Sequence, residues 1–237
     1  MRKTTKTALL SPLALLTFVG CFSLSRDTPP LQQYVLGGTA AASIAAPSAD
    51  PTGVTVGVRR LDLAPYLATP AVVVRRGAHQ IVHSEFHRWG EDPGEGITRA
   101  VAGYLAAETS ISAVDSAPWS AGSRHDYLVQ LHVVRFEGVV PADSGVVDGE
   151  VQLLATWEIL RPMDGVVLAR GTTDHRERGW TVGDYAGLVT SLDRGLNGLA
   201  SDVAICVRQL ASAPPPTGDA GASPDPVMCG PWTDRGP

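Results

Sequence analysis

Apolar residues recur along the chain with two different periods, and the switches between them mark out its elements. Val54, Val56 and Val58 alternate with Thr55, Gly57 and Arg59, the period of two expected of a strand with one buried face. Leu31–Leu36 reads as an earlier strand, with Gly37–Pro51 as a loop of small residues after it. Pro65 and Pro70 bracket a turn, and Val72–Arg75 with Gln80–Glu85 form a predicted hairpin that bends at Gly77. Tyr127, Val129, Leu131 and Val133 share one face of a strand over Tyr127–Phe136, with Gln130 and His132 on the other. Val151, Leu153, Ala155, Trp157 and Ile159 share a face of the next, over Val151–Leu160, and the Asp164-Gly165 turn leads into a further strand at Val166–Gly171.

Two stretches carry the helical period instead. Asp92 stands as an N-cap, Pro93 at the first helical position and Glu95 in the first turn, where a carboxylate meets the positive helix end. Ile97, Val101, Tyr104 and Leu105 form the inward stripe of this helix. A second helix is predicted to open with Thr181 and Asp184 at capping-box spacing, Asp standing where Glu is usual. Its apolar residues Tyr185, Leu188, Leu192, Leu196, Leu199, Val203, Cys206 and Leu210 recur every three or four positions. So long an amphipathic helix must lie against a sheet or a partner. Strands, helix, strands, helix predict an α/β fold: a mixed or antiparallel sheet with two main helices packed on one face.

The first twenty residues follow a different rule. Arg2, Lys3 and Lys6 precede an apolar run from Ala8 to Val19, and Gly20-Cys21 closes it. Charge, apolar run, small residue and cysteine in that order are the features of a bacterial lipoprotein signal, with Cys21 as the lipidated residue of the mature N-terminus. A transmembrane helix needs about 20 apolar residues, and this run is shorter and contains Pro12. A plain secretory signal is the alternative, since Phe18 stands where an aliphatic residue is usual. Phe22 in place of Asp after the cysteine points to the periplasmic face of the outer membrane. The chain thus divides into a signal at 1–20, a tether at 21–30, one α/β domain at 31–210, and a tail at 211–237. That tail, rich in Pro, Gly, Ala and Ser, is predicted to be disordered because it cannot bury enough surface to offset its ordering entropy.

Removing the signal sharpens the charge balance. Of 19 basic and 24 acidic residues it takes three basic ones, leaving 16 against 24, a formal charge of −8, with arginine as the only remaining cation besides histidine. An acidic body without a basic cluster is a poor ligand for nucleic acid or for anionic lipid, so membrane attachment falls to the acyl anchor. Cys206 and Cys229 are candidate disulfide partners in an oxidising compartment. The alternative is a buried free thiol at Cys206, which lies on the apolar face of its helix.

Catalytic signatures do not emerge. There is no Gly-x-Ser-x-Gly elbow, no His-Glu-x-x-His helix, no phosphate-binding Gly-x-x-x-x-Gly-Lys loop and no dinucleotide glycine fingerprint in the sequence. The reading is therefore non-enzymatic, with no cofactor. His79, His83 and His87 are spaced by four, but they fall in a strand pattern, where they read as sheet-surface or interface residues rather than metal ligands.

Around Tyr66 to Leu105 the order of features is more specific. A valine-rich strand is followed by a proline turn running into Tyr66-Leu67 and by a strand ending in Arg75-Arg76. The segment Arg88-Trp89-Gly90-Glu91 then leads into a helix. With Phe136-Glu137 at a strand end, Trp157 in the next strand and the long helix after Asp184-Tyr185, residues 31 to 210 resemble the auxiliary lipoproteins of ABC-type transporters, the paraquat-inducible protein C (PqiC) family. Asp92-Pro93-Gly94-Glu95 departs from the Pro-Leu usual there. The resemblance implies a non-enzymatic component of a lipid-transport system that links inner and outer membranes, working with a periplasmic MCE-domain protein; a homo-oligomer is compatible with it. Arg88 and Trp89 are the candidate interface residues, because Trp and Arg are over-represented at binding hot spots; a buried Trp89 is the alternative. The competing function is a structural envelope lipoprotein that activates or braces a cell-wall synthase.

Overall fold

The computed structural model describes residues 29–38, 53–120, 122–143, 145, 147–213 and 225–230. The predicted signal, Cys21 and most of the tether lie outside the described residues, as do most of the Gly37–Pro51 loop and much of the tail. In chain order the elements are β1 (Gln32–Tyr34), β2 (Val54–Val58), β3 (Asp62–Leu63), β4 (Ala71–Arg76), β5 (Gln80–Trp89), α1 (Pro93–Ala106), β6 (Ile111–Ser116), β7 (Tyr127–Val140), β8 (Asp148–Leu160), β9 (Val167–Thr181), α2 (Tyr185–Ser212) and β10 (Val227–Cys229).

β7 organises the sheet. On one edge it pairs antiparallel with β8, which pairs antiparallel with β9. Along the other edge β2, β3 and β4 lie end to end, each parallel to it. β5 adds antiparallel to β4 and β1 parallel to β5, β10 closes the far side parallel to β9, and β6 pairs with β2. The result is a mixed sheet of ten strands, and the two helices cover one of its faces.

Alternation supplies that covered face. Val129, Leu131 and Val133 of β7, and Val151, Leu153, Ala155, Trp157 and Ile159 of β8, are buried. They meet Leu188, Leu192, Leu196, Leu199 and Val203 of α2, and Ile97, Ala100, Val101 and Leu105 of α1 in the same core. Burying a Leu or Ile side chain contributes about 1.5–3 kcal/mol, so the amphipathic stripes account for why both helices hold. Asp92 accepts a hydrogen bond from Glu95 N at 3.0 Å with Pro93 following it, the expected cap for α1.

Several boundaries depart from the sequence reading. The first strand shrinks from Leu31–Leu36 to Gln32–Tyr34, leaving Leu31 and Val35 exposed. β7 continues to Val140, β8 begins three residues early at Asp148, and β9 runs on from Gly171 to Thr181, where exposed Asp174, Arg176 and Arg178 carry no hydrophobic signal. The capping box at Thr181 is corrected: Thr181 ends β9, Gly183 turns the chain at φ +99°, and Asp184 alone caps α2 by accepting from Gly187 N at 2.9 Å. β3, β6 and β10 have no counterpart among the predicted strands.

A bulge resets the phase of β7. Val133 pairs with Ala155 but Arg135 with Leu154, so Val134 is the extra residue and buried positions shift from odd to even, with Phe136 taking the inward place. The same shift turns Glu137 away from the helix-covered core to the opposite face, where it pairs in register with Gln152 and is nonetheless fully buried.

Candidate partner-binding site

The family-resembling residues, scattered over seventy positions, converge beside this bulge. The Tyr66 hydroxyl donates to the carbonyl of Val134 at 3.0 Å, filling the acceptor that the bulge takes out of the ladder. Arg75, from the end of β4, sets its guanidinium 5.3 Å from the centre of the Tyr66 ring. Its Nε donates to Oε1 of Glu137 at 2.6 Å and its Nη2 to Oε2 at 3.5 Å. The Glu137 side chain is 0% exposed and that of Arg75 15%. A carboxylate so enclosed persists in charged form only with a matched cation, and Arg75 is that cation. Burial, reinforced by the Glu137 charge, pushes the Tyr66 phenol up to about 12, and the bond to Glu137 raises the Arg75 pKa further.

Trp89 packs on the core side of the same region, its ring 5.7 Å from Phe136. Its backbone N–H donates to Pro70 O at 2.7 Å, and Gly90 N–H to Tyr34 O at 2.7 Å. The indole is therefore a buried member of the core at 6% exposure, while its neighbour Arg88 is exposed. As a free-standing hot spot Trp89 does not present itself on this surface; what it does is fix the path of the chain from β5 into α1.

That path is bordered by two clefts. One, about 310 Å³, runs between Thr69-Pro70 and the stretch from Trp89 to Pro93. The other, about 540 Å³, is lined by Arg60, Glu91, Glu95, Thr98, Arg99 and Ser116 among others. Two ion pairs rim the larger cleft, Arg60–Glu95 at 2.9 Å and Arg99–Glu91. Both clefts open at the surface, and the charged groups of the larger one stand in these two pairs.

The remaining sequence candidates separate. His87 is stacked between Tyr34 and Tyr185, with Nδ1 2.9 Å from the Tyr34 hydroxyl and 4.0 Å between its ring centre and that of Tyr185. His83 Nε2 is 3.4 Å from Tyr66 O, and His79 lies in the hairpin turn. Among the described residues no group of three or more His, Cys, Asp or Glu is placed to hold a metal ion. Cys206 and Cys229 are joined as a disulfide with Cα atoms 5.9 Å apart, which ties β10 to α2. Among the described residues no helix is long and apolar enough to cross a membrane.

Sequence reasoning did not reach two elements of this region. Asp193 of α2 accepts from the Tyr104 hydroxyl at 2.6 Å and from Gly37 N at 2.8 Å, clamping the turn after β1 to both helices. The Tyr66–Arg75–Glu137 cluster has a legible trace only in the parity change from Val133 to Phe136, which signals the bulge.

The family described as ABC-type transport auxiliary lipoprotein component matches residues 34–204. Among curated proteins none matches the chain. A crystal structure of a Xanthomonas campestris protein superposes with a TM-score of 0.57 at 17% identity, covering 70% of this chain and 94% of that one. An uncharacterized protein of known structure gives a TM-score of 0.55 at 16% identity over 75% of this chain and 99% of that one. At these identities the two structures show a shared fold.

Proposed function

The chain belongs to the ABC-type transport auxiliary lipoprotein component family, and from that premise we propose that it is a non-enzymatic component of a lipid-transport system joining the inner and outer membranes. In this reading Cys21 carries the acyl anchor, the domain stands on the periplasmic face of the outer membrane, and an MCE-domain protein docks against it. The observation that supports docking is the pair of surface clefts along the path from β5 into α1, the larger of them rimmed by the Arg60–Glu95 and Arg99–Glu91 ion pairs. Paired charges at the mouth of a surface cleft, one strand end away from the exposed Arg88, match the polar rim of a protein interface. Arg88 is the exposed residue of the pair singled out from sequence, and Trp89 holds it in place.

In-cell photocrosslinking from position 88 tests this directly. Capture of the MCE-domain protein is the expected result. Capture of a penicillin-binding protein in its place would move the chain to the cell-wall reading.

A further inference from the structure

β9 is paired along its outer edge over only a short stretch. β10 takes Ala169–Gly171 in parallel, and from Thr172 onward no further strand among the described residues joins that edge. The edge stays regular from Thr172 to Arg178; the ladder irregularity comes after it, at Gly179, between the Glu150–Arg178 and Gly149–Trp180 pairs. It contains no proline. Bare edges of this kind are either blocked by proline, bulge or cover, or are completed by an added strand. β10 itself demonstrates that this edge accepts one.

Beside the edge lies a groove of about 260 Å³, walled by Glu177, Arg178 and Trp180 on the strand and by Gly187, Thr190 and Ser191 on α2. Asp184 and Arg194 also line it, and the ion pairs along the strand are arranged asymmetrically. Arg176 pairs with Asp174 at 2.9 Å, Arg178 with Glu150 at 3.5 Å and Arg194 with Glu177 at 2.5 Å. In every pair the arginine is the outer member, with side-chain exposures of 55% against 39%, 90% against 25%, and 54% against 37%. A chain with more acidic than basic residues thus fringes this open edge with guanidinium groups.

We propose that the Thr172–Arg178 edge binds an extended acidic segment of a partner protein by strand addition. The segment's backbone completes the ladder, and its alternate carboxylates meet Arg176 and Arg178 on the open face of the sheet. Intervening side chains enter the groove toward Arg194. This surface sits near the opposite end of the strand order from β5 and Trp89, and it stands whether or not the partner belongs to a transport system.

The test uses the full-length protein and a capped ten-residue peptide alternating Glu and Thr. A Lys-Thr counterpart and a Glu-Thr peptide with alternate amides N-methylated serve as controls. The expected results are slowed amide hydrogen exchange at Thr172–Arg178 with the first peptide, and binding at least tenfold tighter than with either control. Affinity falls with added salt, and Arg176→Glu/Arg178→Glu lowers it at least tenfold with an unchanged thermal midpoint. Unprotected amides at Thr172–Arg178, or equal binding of the N-methylated peptide, overturns strand addition. Equal binding of the Lys peptide overturns the acidic assignment. Protection that grows with protein concentration and ignores the peptide makes the occupant a second copy of the chain, which also overturns the proposal.

Discussion

Arg75 Nε lies 2.6 Å from Oε1 of Glu137, and the carboxylate it neutralises has no exposed surface. Removing one member of a buried pair leaves the other charge unmatched, at a cost of about 3–5 kcal/mol, while replacing both by apolar residues of similar volume is close to neutral. Arg75→Met is therefore expected to lower the unfolding free energy by about 3 kcal/mol or more. Arg75→Met/Glu137→Leu recovers most of the loss. Urea unfolding of the three proteins at equal m-value measures the difference.

Gly171 sits beneath the indole of Trp157, so close that an added Cβ would overlap the ring. Trp157 is 1% exposed and fixed by its Nε1–H bond to Thr173 at 3.3 Å, so it has nowhere to go. Gly171→Ala should cost about 2 kcal/mol or more through forced repacking. Gly198, in the middle of α2, has open space where a Cβ would stand, and Gly198→Ala should stabilise by about 0.5–1 kcal/mol. Opposite shifts in thermal midpoint for two chemically identical substitutions check both packing statements.

The Tyr66 phenol is held neutral by burial and by Glu137, its pKa pushed up to about 12 from the ordinary 10.0. The fold favours the protonated form, so this contribution is complete below pH 10 and is lost as pH rises from 10 through 12. Stability against urea should decline across that window, and Tyr66→Phe should flatten part of the decline while costing about 1 kcal/mol at neutral pH for its hydrogen bond. A decline of the same steepness in the variant would rule out Tyr66 as its source.

The Cys206–Cys229 bridge spans 23 residues, for which loop-closure entropy gives about 3 kcal/mol. Cys206 is fully buried, so reduction of the native protein should be slow and reduction of the unfolded protein fast. Thiol labelling of unreduced, denatured protein should leave both residues unmodified, and Cys229→Ser should lower the unfolding midpoint.

Lipidation at Cys21 predicts that Cys21→Ser abolishes membrane fractionation and leaves the signal uncleaved by the lipoprotein peptidase. Mass spectrometry of the N-terminal peptide reads both outcomes.

Periodicity made the helices and the central strands legible because their buried faces repeat without interruption, as in Leu188 through Val203 and Val151 through Ile159. It was blind to β6, where Ile111 and Val114 are buried but the exposed Ala113 and Asp115 break the pattern over so short a run. It also ended β9 at Gly171, because Asp174, Arg176 and Arg178 face solvent and look like loop. At the candidate site, Arg88 and Trp89 were visible as residue types, but their opposite burial follows from the Phe136 contact across the sheet. No local pattern carries that contact. Arg75 and Glu137 lie farther apart still, and it is the parallel register of β4 on β7, Val74 opposite Gly138, that brings them together.

The serial pairing of β2, β3 and β4 along one edge of β7 bears on how the chain reaches this state. Val56 must find Tyr127 and Val74 must find Gly138, so a ribosome or export channel releases the first half of the sheet long before its template exists. Ladders closed over such sequence distances form slowly. Val72, Val73 and Val74 in the meantime remain an adhesive valine run.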